Sequence, residues 1–503
     1  MSKRFKIQFS GIVQGVGFRP FIYKYATELG LTGFVRNNTA GVDLEIQGDS
    51  AESFLAVALP NLPPLAVIDA YTIDEIDPVD SDSFEIIQSN RSDTISMMMS
   101  PDIAVCANCR EEFFSKSDRR FDYPFINCTD CGPRFTIIRD LPYDRPKTTM
   151  ERFPMCSACR KEYENPLDRR YHAQPVSCYN CGPQLTFDGE TYKDPAKAVR
   201  AAIEKLKAGM VVALKGLGGY HLACLATSDK AVGRLREKKK RRKKPFALMA
   251  RLDTIKELTE MSSMELQLLT GITAPIVLLK RKPEFGSNIS DQVAPGQDRL
   301  GFMLPYTPLH LYLFNEIDMP LVMTSANFSD EPIVYQDTDP YLARLSDHVL
   351  GHDREINIFC DDSVMEVFRE QPYMIRRSRG YAPSPHILPI GSDHNILAVG
   401  AMLKTTFTMI NENKAYMSQY IGNTDSPYTL EAEEKVIRHF QKLFRFEPDI
   451  LVTDSHPDFP NRSLLKIFPG IEHREVQHHK AHVASLLAEK GDISPLIGIA
   501  MDG

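Results

Sequence analysis

The sequence predicts a multidomain chain of mixed α/β and α+β class, and three observations predict it. At 503 residues it exceeds what one hydrophobic core supports. Residues 1–92 read in the order strand, helix, strand, strand, helix, strand. Eight of the ten cysteines fall in C-x-x-C pairs that repeat as a block.

The first segment follows from apolar alternation and turn residues. Strands are expected at Phe5–Phe9, Gly33–Asn37, Val42–Gln47 and Ser83–Gln88, with helices at Phe18–Leu29 and Ala51–Ala58. That β-α-β-β-α-β order is the ferredoxin-like arrangement. Pro60, Pro63 and Pro64 punctuate it, and the polar, Met-rich Ser89–Ser100 reads as a linker.

Residues 101–187 hold the repeat. Cys106, Cys109, Cys128 and Cys131 recur, shifted by 50, as Cys156, Cys159, Cys178 and Cys181. Each set has the C-x2-C-x18-C-x2-C spacing of a closed, tetrahedral four-cysteine site, so two structural zinc ions are expected. Cys224 and Cys360 lie outside the pattern and read as buried thiols, and His172 is not needed to complete the second set.

Residues 190–385 read as an α/β domain, with a helix at Pro195–Ala208 and the strands MVVALKG, APIVLLK and PLVMTSAN. The Pro-rich YAPSPHILP marks its end. A further α/β segment occupies residues 395–503, with a helix at Leu430–Phe444.

Charge and hydropathy narrow the function. A net charge of −7 argues against general nucleic-acid or membrane-surface binding. The apolar stretch Met210–Ala226 is interrupted by Lys215 and His221, so no membrane span is expected. The N-terminus alternates instead of opening into an apolar signal core, which points to the cytoplasm and to metal rather than disulfides.

Four motifs carry chemistry. The loop Val13-Gln14-Gly15-Val16-Gly17-Phe18-Arg19 leads from strand to helix, where converging N–H groups and an arginine suit a phosphate. A tight turn with a surface arginine explains the same residues. The basic run Lys238–Lys244 reads either as a solvated helix face or as a triphosphate clamp assisted by Lys215. His478 and His482 stand at i and i+4, one face of a helix and the geometry of two ligands to one metal, although such a pair is more often structural. The cysteine sets are the fourth.

VQGVGFRPF followed by LGLTGFVRNNTAGV resembles the acylphosphatase family. The resemblance implies acyl phosphate hydrolysis, with Arg19 binding phosphate and Asn37 positioning water. KGLGGYHLAC, LREKKKRRKKPFALM, LPYTPLH and TSANFSDEP resemble the YrdC-type nucleotide-binding domain. That match nominates Lys215, Arg236, Lys239, Arg241, Lys244, Ser325 and Asn327 as ATP and carbamoyl contacts. Lys238 and Asp330 stand where relatives usually have arginine and glycine, and a carboxylate at 330 would weaken anion binding.

Together with HDREINIFCDDSV and IRRSRGYAP, the order of all four regions resembles the HypF family of hydrogenase maturation carbamoyltransferases. QHHKAH then resembles its HHHAH box in an actin-like domain, which implies His478, His482 and Asp502 as metal ligands. Lys480 replaces a histidine, and Thr405, Tyr420 and Asn423 also depart from that domain's pattern. The implied reaction hydrolyses carbamoyl phosphate to carbamate, passes it through an enclosed route, adenylates it with Mg-ATP, and transfers the carbamoyl group to a C-terminal cysteine of the partner HypE. Relatives continue beyond Gly503, so an incomplete transfer site is expected here. The alternative is a threonylcarbamoyl-adenylate synthase of tRNA modification, which would explain neither the first domain nor the cysteine sets. A non-catalytic RNA- or protein-binding module built on the cysteine units is a further rival, opposed by the acidic net charge.

Overall fold

The computed structural model describes residues 3–38, 41–87, 99–141, 143–282, 288–491 and 493–502. The chain divides into two compact units, residues 1–183 and 184–503. Most of the expected linker at 89–100 lies outside the described residues.

The first unit begins with β1 (Lys3–Ile12), α1 (Phe18–Glu28), β2 (Thr32–Asn38), β3 (Gly41–Gly48), α2 (Phe54–Ala58), β4 (Val67–Ile76) and β5 (Phe84–Ile86). The sheet order is β4-β1-β3-β2-β5. One strand differs from expectation. The fourth ferredoxin-like position is taken by β4, where no strand was expected, and the expected strand at 83–88 is a short fifth one parallel to β2. The physical reason is exposure. β4 pairs with β1 alone at the sheet edge and nearly all its side chains face solvent, so it carries no one-sided apolar alternation.

The core between sheet and helices is conventional. Phe9 and Phe18 pack edge to face at 5.2 Å, and Phe18, Ile22, Val35, Leu44 and Phe54 are fully buried. Each such side chain contributes roughly 2–3 kcal/mol of transfer free energy. Gly17, at φ 74°, caps the start of α1 in a left-handed conformation that few other residues adopt cheaply.

The cysteine repeat folds as two matching copies whose helices are Ala107–Phe114 and Ser157–Glu164. They are locked together reciprocally. Arg119 donates to Glu162 at 3.0 and 2.6 Å and to Cys159 Sγ at 3.2 Å. Fifty residues on, Arg169 donates to Glu112 at 2.9 and 2.5 Å and to Cys109 Sγ at 3.2 Å. The next arginines repeat the exchange, with Arg120 Nε on Ser177 O at 2.9 Å and Arg170 Nε on Asn127 O at 3.2 Å. Each copy therefore supplies the cations that sit on the other's thiolates.

In the second unit a 12-stranded mixed sheet runs through its centre in the order Leu248–Met249, Leu321–Ser325, Tyr220–Leu225, Val212–Lys215 and His348–His352. The expected helix and strands at 195–208, 210–216, 274–280 and 320–327 are all present. A four-stranded sheet follows, built from Thr408–Met417, His386–Ala398, Ile450–Asp454 and Glu472–Val476, with helix Pro427–Phe444 packed on it through Val436, Ile437, Phe440 and Leu443. Its first strand starts at His386, inside the Pro-rich stretch. No helix among the described residues is long and apolar enough to cross a membrane.

Glu433 on that helix is fully buried, and neither carboxyl oxygen has a partner among the described residues. Burial pushes its carboxyl up to about 8. Because the folded value exceeds the unfolded one, the stability cost is absent below about pH 4, grows as pH rises, and is complete above pH 8. We expect Glu433→Gln to raise stability at pH 7 by about 2–3 kcal/mol and to flatten the wild-type fall in Tm between pH 5 and 8. Thermal melts across that range check it; parallel wild-type and variant curves would refute it.

Candidate functional site

The four-cysteine clusters satisfy the geometry of zinc. In the first, Cys106–Cys128, Cys128–Cys131 and Cys109–Cys131 have Sγ–Sγ distances of 3.6, 3.9 and 3.5 Å. In the second, Cys156–Cys178, Cys178–Cys181 and Cys159–Cys181 lie at 3.7, 3.8 and 3.6 Å. A tetrahedron of thiolates about 2.3 Å from zinc has edges of about 3.8 Å, whereas a disulfide would bring sulfurs to about 2.05 Å. Both sets converge with their eight cysteines unbridged, so two zinc ions fit, with four protein ligands each and no open position. Cys224 and Cys360 are buried elsewhere.

The Arg19 loop forms one wall of a small cavity of about 30 Å³. Its other walls come from the cysteine repeat, including Thr129, Arg134, Tyr171, His172 and Gln174. Gln14 Nε2 donates to Asn38 O and Gly41 O, both at 2.7 Å, and so ties the loop to the end of β2, where Asn37 sits. Asn37 Oδ1 is buried without a partner, and the half-buried Arg19 guanidinium has no hydrogen-bond partner among the described residues. Burial lowers the Arg19 pKa from its ordinary value, and Tyr171, Asp144 and Tyr163 oppose it. A cation without a partner on the wall of a partly open cavity is an arrangement that suits a small anion.

In the second unit the nominated residues divide. Lys239 is fully buried and donates to Ser325 O, Asn327 O and Asn327 Oδ1 at 2.7, 2.6 and 2.9 Å. All three of its N–H bonds end on the chain, and Ser325 Oγ joins Asn327 Oδ1 at 3.0 Å. Arg236 and Arg241 flank the Phe246 ring at 4.5 and 4.9 Å. Burial, then Arg376 and Arg236, push Arg241 down to about 10. Arg236 and Arg241 also donate to backbone carbonyls, the first to Gln292 O at 2.6 Å and Arg241 O at 2.9 Å and the second to Lys244 O at 3.1 Å, and their crowded charge attracts an anion.

Lys244 instead pairs with Asp330, whose φ of 66° explains why glycine suits that position. Lys215 lies apart from the lysine run, joined to Asp337 at 2.5 Å and His352 O at 2.9 Å. Its register against Tyr220, beside the His221–Ser325 pair, puts it two strands, about 10 Å, from Ser325.

Sequence reasoning missed a buried network beside these groups. Asp362 holds Arg379 at 2.6 Å and His221 at 2.8 Å, and Arg379 stacks over Tyr306 at 3.7 Å. Burial alone would raise the Asp362 carboxyl; Arg379 and His221 overcome it and hold it well below the usual range. Asp361 pairs with Arg376 at 2.5 Å, and Arg376 covers the Tyr420 ring at 4.8 Å. The available signal was the acidic pair in FCDDSV and the arginines of IRRSRG, which sequence alone could not match to each other.

His478, His482 and Asp502 meet near the end of the chain. Both histidine Nε2 atoms approach Asp502 Oδ2, at 2.8 and 3.2 Å, and each other at 3.2 Å. Asp454 takes His478 Nδ1 at 2.6 Å and orients the ring. Two imidazoles and a carboxylate fit a divalent ion with open positions.

The cluster geometry generates one prediction. Purified protein should carry two zinc ions, and Arg119→Ala with Arg169→Ala should lower zinc retention by about 10–100-fold. Metal analysis and transfer to a chromogenic chelator check this; an unchanged release rate would remove the arginines from zinc binding.

Comparison with known proteins agrees with this architecture. The acylphosphatase family matches residues 5–86, the HypF finger 105–138 and 155–187, the Sua5/YciO/YrdC family (telomere recombination) 204–378, and the HypF Kae1-like domain 391–489. Carbamoyltransferase HypF of Synechocystis is 43% identical, covering 100% of this chain and 66% of that protein. The probable carbamoyltransferase HypF of Methanocaldococcus jannaschii is 40% identical over 99% of this chain and 66% of its own length. A crystal structure of full-length HypF in a phosphate- and nucleotide-bound form superposes with TM-score 0.94 at 42% identity, covering 100% of this chain and 66% of that one. T. kodakarensis HypF gives 0.88 at 41% identity, over 97% and 64%. The chain thus spans about two thirds of these relatives, and on identity, fold and cysteine units together it belongs to the HypF family.

Proposed function

We propose that this chain carries out the carbamoyl-activating steps of a carbamoyltransferase. The observation that carries the reading is the partly open cavity at Arg19, whose guanidinium has no hydrogen-bond partner among the described residues, with the buried Asn37 oxygen, likewise without one, on the strand end to which the loop is tied. Carbamoyl phosphate would place its phosphate on Arg19 and the loop N–H groups. Asn37 would orient a water, whose oxygen bonds to phosphorus as the P–O bond to the acyl group breaks, releasing carbamate and phosphate. That relatives bear the name carbamoyltransferase, and that one was crystallised with phosphate and nucleotide, supports the assignment.

Carbamate is short-lived in water, so the next step is its capture. In the second unit we assign ATP, with magnesium as its usual counter-ion, to the cation cluster of Arg236, Arg241 and Lys244 beside Ser325 and Asn327, with Lys215 at the same sheet end. A carbamate oxygen attacks the α-phosphorus, the α–β bridging P–O bond breaks, and carbamoyl adenylate and pyrophosphate result. The guanidinium groups stabilise the charge that accumulates on the phosphates. Lys239, its protons engaged by backbone and Asn327, acts by holding the Ser325–Asn327 segment in place. His478, His482 and Asp502 would hold a divalent ion in the transfer region, and the acceptor is the C-terminal cysteine of HypE. The reading places the protein in the cytoplasm.

Labelled ATP tests the scheme. Pyrophosphate should appear only with carbamoyl phosphate, and Arg19→Ala should reduce phosphate release by at least about 100-fold. Pyrophosphate with bicarbonate plus threonine instead would replace this reading by the tRNA-modifying one. Asp330→Gly, which frees Lys244, should lower the KM for ATP several-fold; a higher KM would show that the ion pair belongs to the working site.

A further inference from the structure

The segment facing the Arg19 cavity is where the two cysteine copies part in sequence while keeping one backbone. Asp122-Tyr123-Pro124-Phe125 of the first copy corresponds, 50 residues on, to His172-Ala173-Gln174-Pro175 of the second. Asp122 and His172 share a left-handed conformation, φ 56° and 51°. Their N–H groups donate to Phe113 O and Tyr163 O at 2.9 and 3.0 Å. The turn is therefore made equally well by aspartate, and nothing in the zinc geometry asks for a histidine. Only the second copy's version of the segment lines the cavity.

Of the other polar side chains around this space, the Arg19 guanidinium and the Tyr171 hydroxyl have no hydrogen-bond partner among the described residues, and the rest are engaged. Gln174 Oε1 accepts from Arg145 N at 2.7 Å and Tyr163 Oη at 2.9 Å, and its Nε2 donates to His172 O at 2.9 Å. Thr129 donates to Arg169 O at 3.1 Å. Arg134 donates to Gly132 O at 2.9 Å and to Thr129 O. His172, by contrast, has no hydrogen-bond partner on its ring among the described residues. Tyr163 and Tyr171, with ring centroids 4.8 and 4.4 Å away, set its orientation.

We propose that His172 is the acyl-recognition residue of this chamber, accepting a hydrogen bond on an imidazole nitrogen from the NH2 group of carbamoyl phosphate bound at Arg19. The second cysteine copy thereby selects the carbamoyl compound over acyl phosphates of the same shape that lack the N–H, such as acetyl phosphate. The inference rests on the reading of Arg19 as the phosphate-binding group. Burial, then the neighbouring Arg19 charge, lower His172 to about 4. The ring is thus neutral at pH 7 and keeps one lone pair, where an imidazolium would offer donors only. Sites built to hold a substrate N–H discriminate strongly against analogues without it, because the acceptor is then left unpaired.

The test compares carbamoyl phosphate with acetyl phosphate as hydrolysis substrates of the full chain, with zinc content measured in parallel. We expect the wild type to prefer carbamoyl phosphate by at least about 10-fold in kcat/KM. His172→Gly, which keeps the turn without steric cost, should bring that ratio near unity by loss on the carbamoyl side alone, with two zinc ions retained. His172→Asn, also compatible with the turn and still carrying an acceptor, should keep part of the preference. A wild type without preference overturns the proposal before any variant is made. So does a glycine variant that leaves the ratio unchanged or slows both substrates equally. Undiminished phosphate release by Arg19→Ala is a separate result and overturns the phosphate-site reading itself.

Discussion

Reciprocal exchange of arginines between the two cysteine copies is the interaction on which the first unit depends. A zinc ion with four thiolates carries two net negative charges, and such a centre is costly to bury alone. Here Arg119 and Arg120 serve Cys159 and Glu162, while Arg169 and Arg170 serve Cys109 and Glu112. Neither copy can present a neutralised cluster without the other. Because the arginines flank the segment 170–175, the same lock also sets the wall that faces the Arg19 loop.

That wall changes what an acylphosphatase-like unit can do. With β2 and α1 alone, the Arg19 loop would be open to solvent. Walled by Tyr171, His172 and Gln174, it becomes part of a partly open cavity in which hydrogen bonds are stronger and unpaired groups more costly than in bulk water. The buried Asn37 oxygen nearby, without a partner among the described residues, is likewise kept at the expense of stability.

In the second unit, cations close in sequence have separate fates. Lys239 is buried and saturated by three oxygens, Lys238 is drawn to Asp347 at 3.1 Å, and Lys244 to Asp330. Arg241 remains against Arg236 and Arg376. A run that reads as uniform positive charge thus contains one anchor, two ion pairs and, at Arg241, one member of a guanidinium cluster completed by Arg236 and Arg376.

Much was legible before folding. Cysteine spacing determined both metal sets, since ligands three residues apart in a tight turn must share a centre. The i, i+4 histidines determined a common helical face, and the glycine loop determined the placement of Arg19 at the start of α1. These are short-range relations, dictated by backbone periods of a few residues. Tertiary structure alone decided the rest: β4 as an exposed edge, Lys239 as a buried anchor, Asp362 with Arg379, and His172 facing Arg19. Each joins residues far apart in the chain, or depends on which face solvent reaches, and no local pattern encodes either.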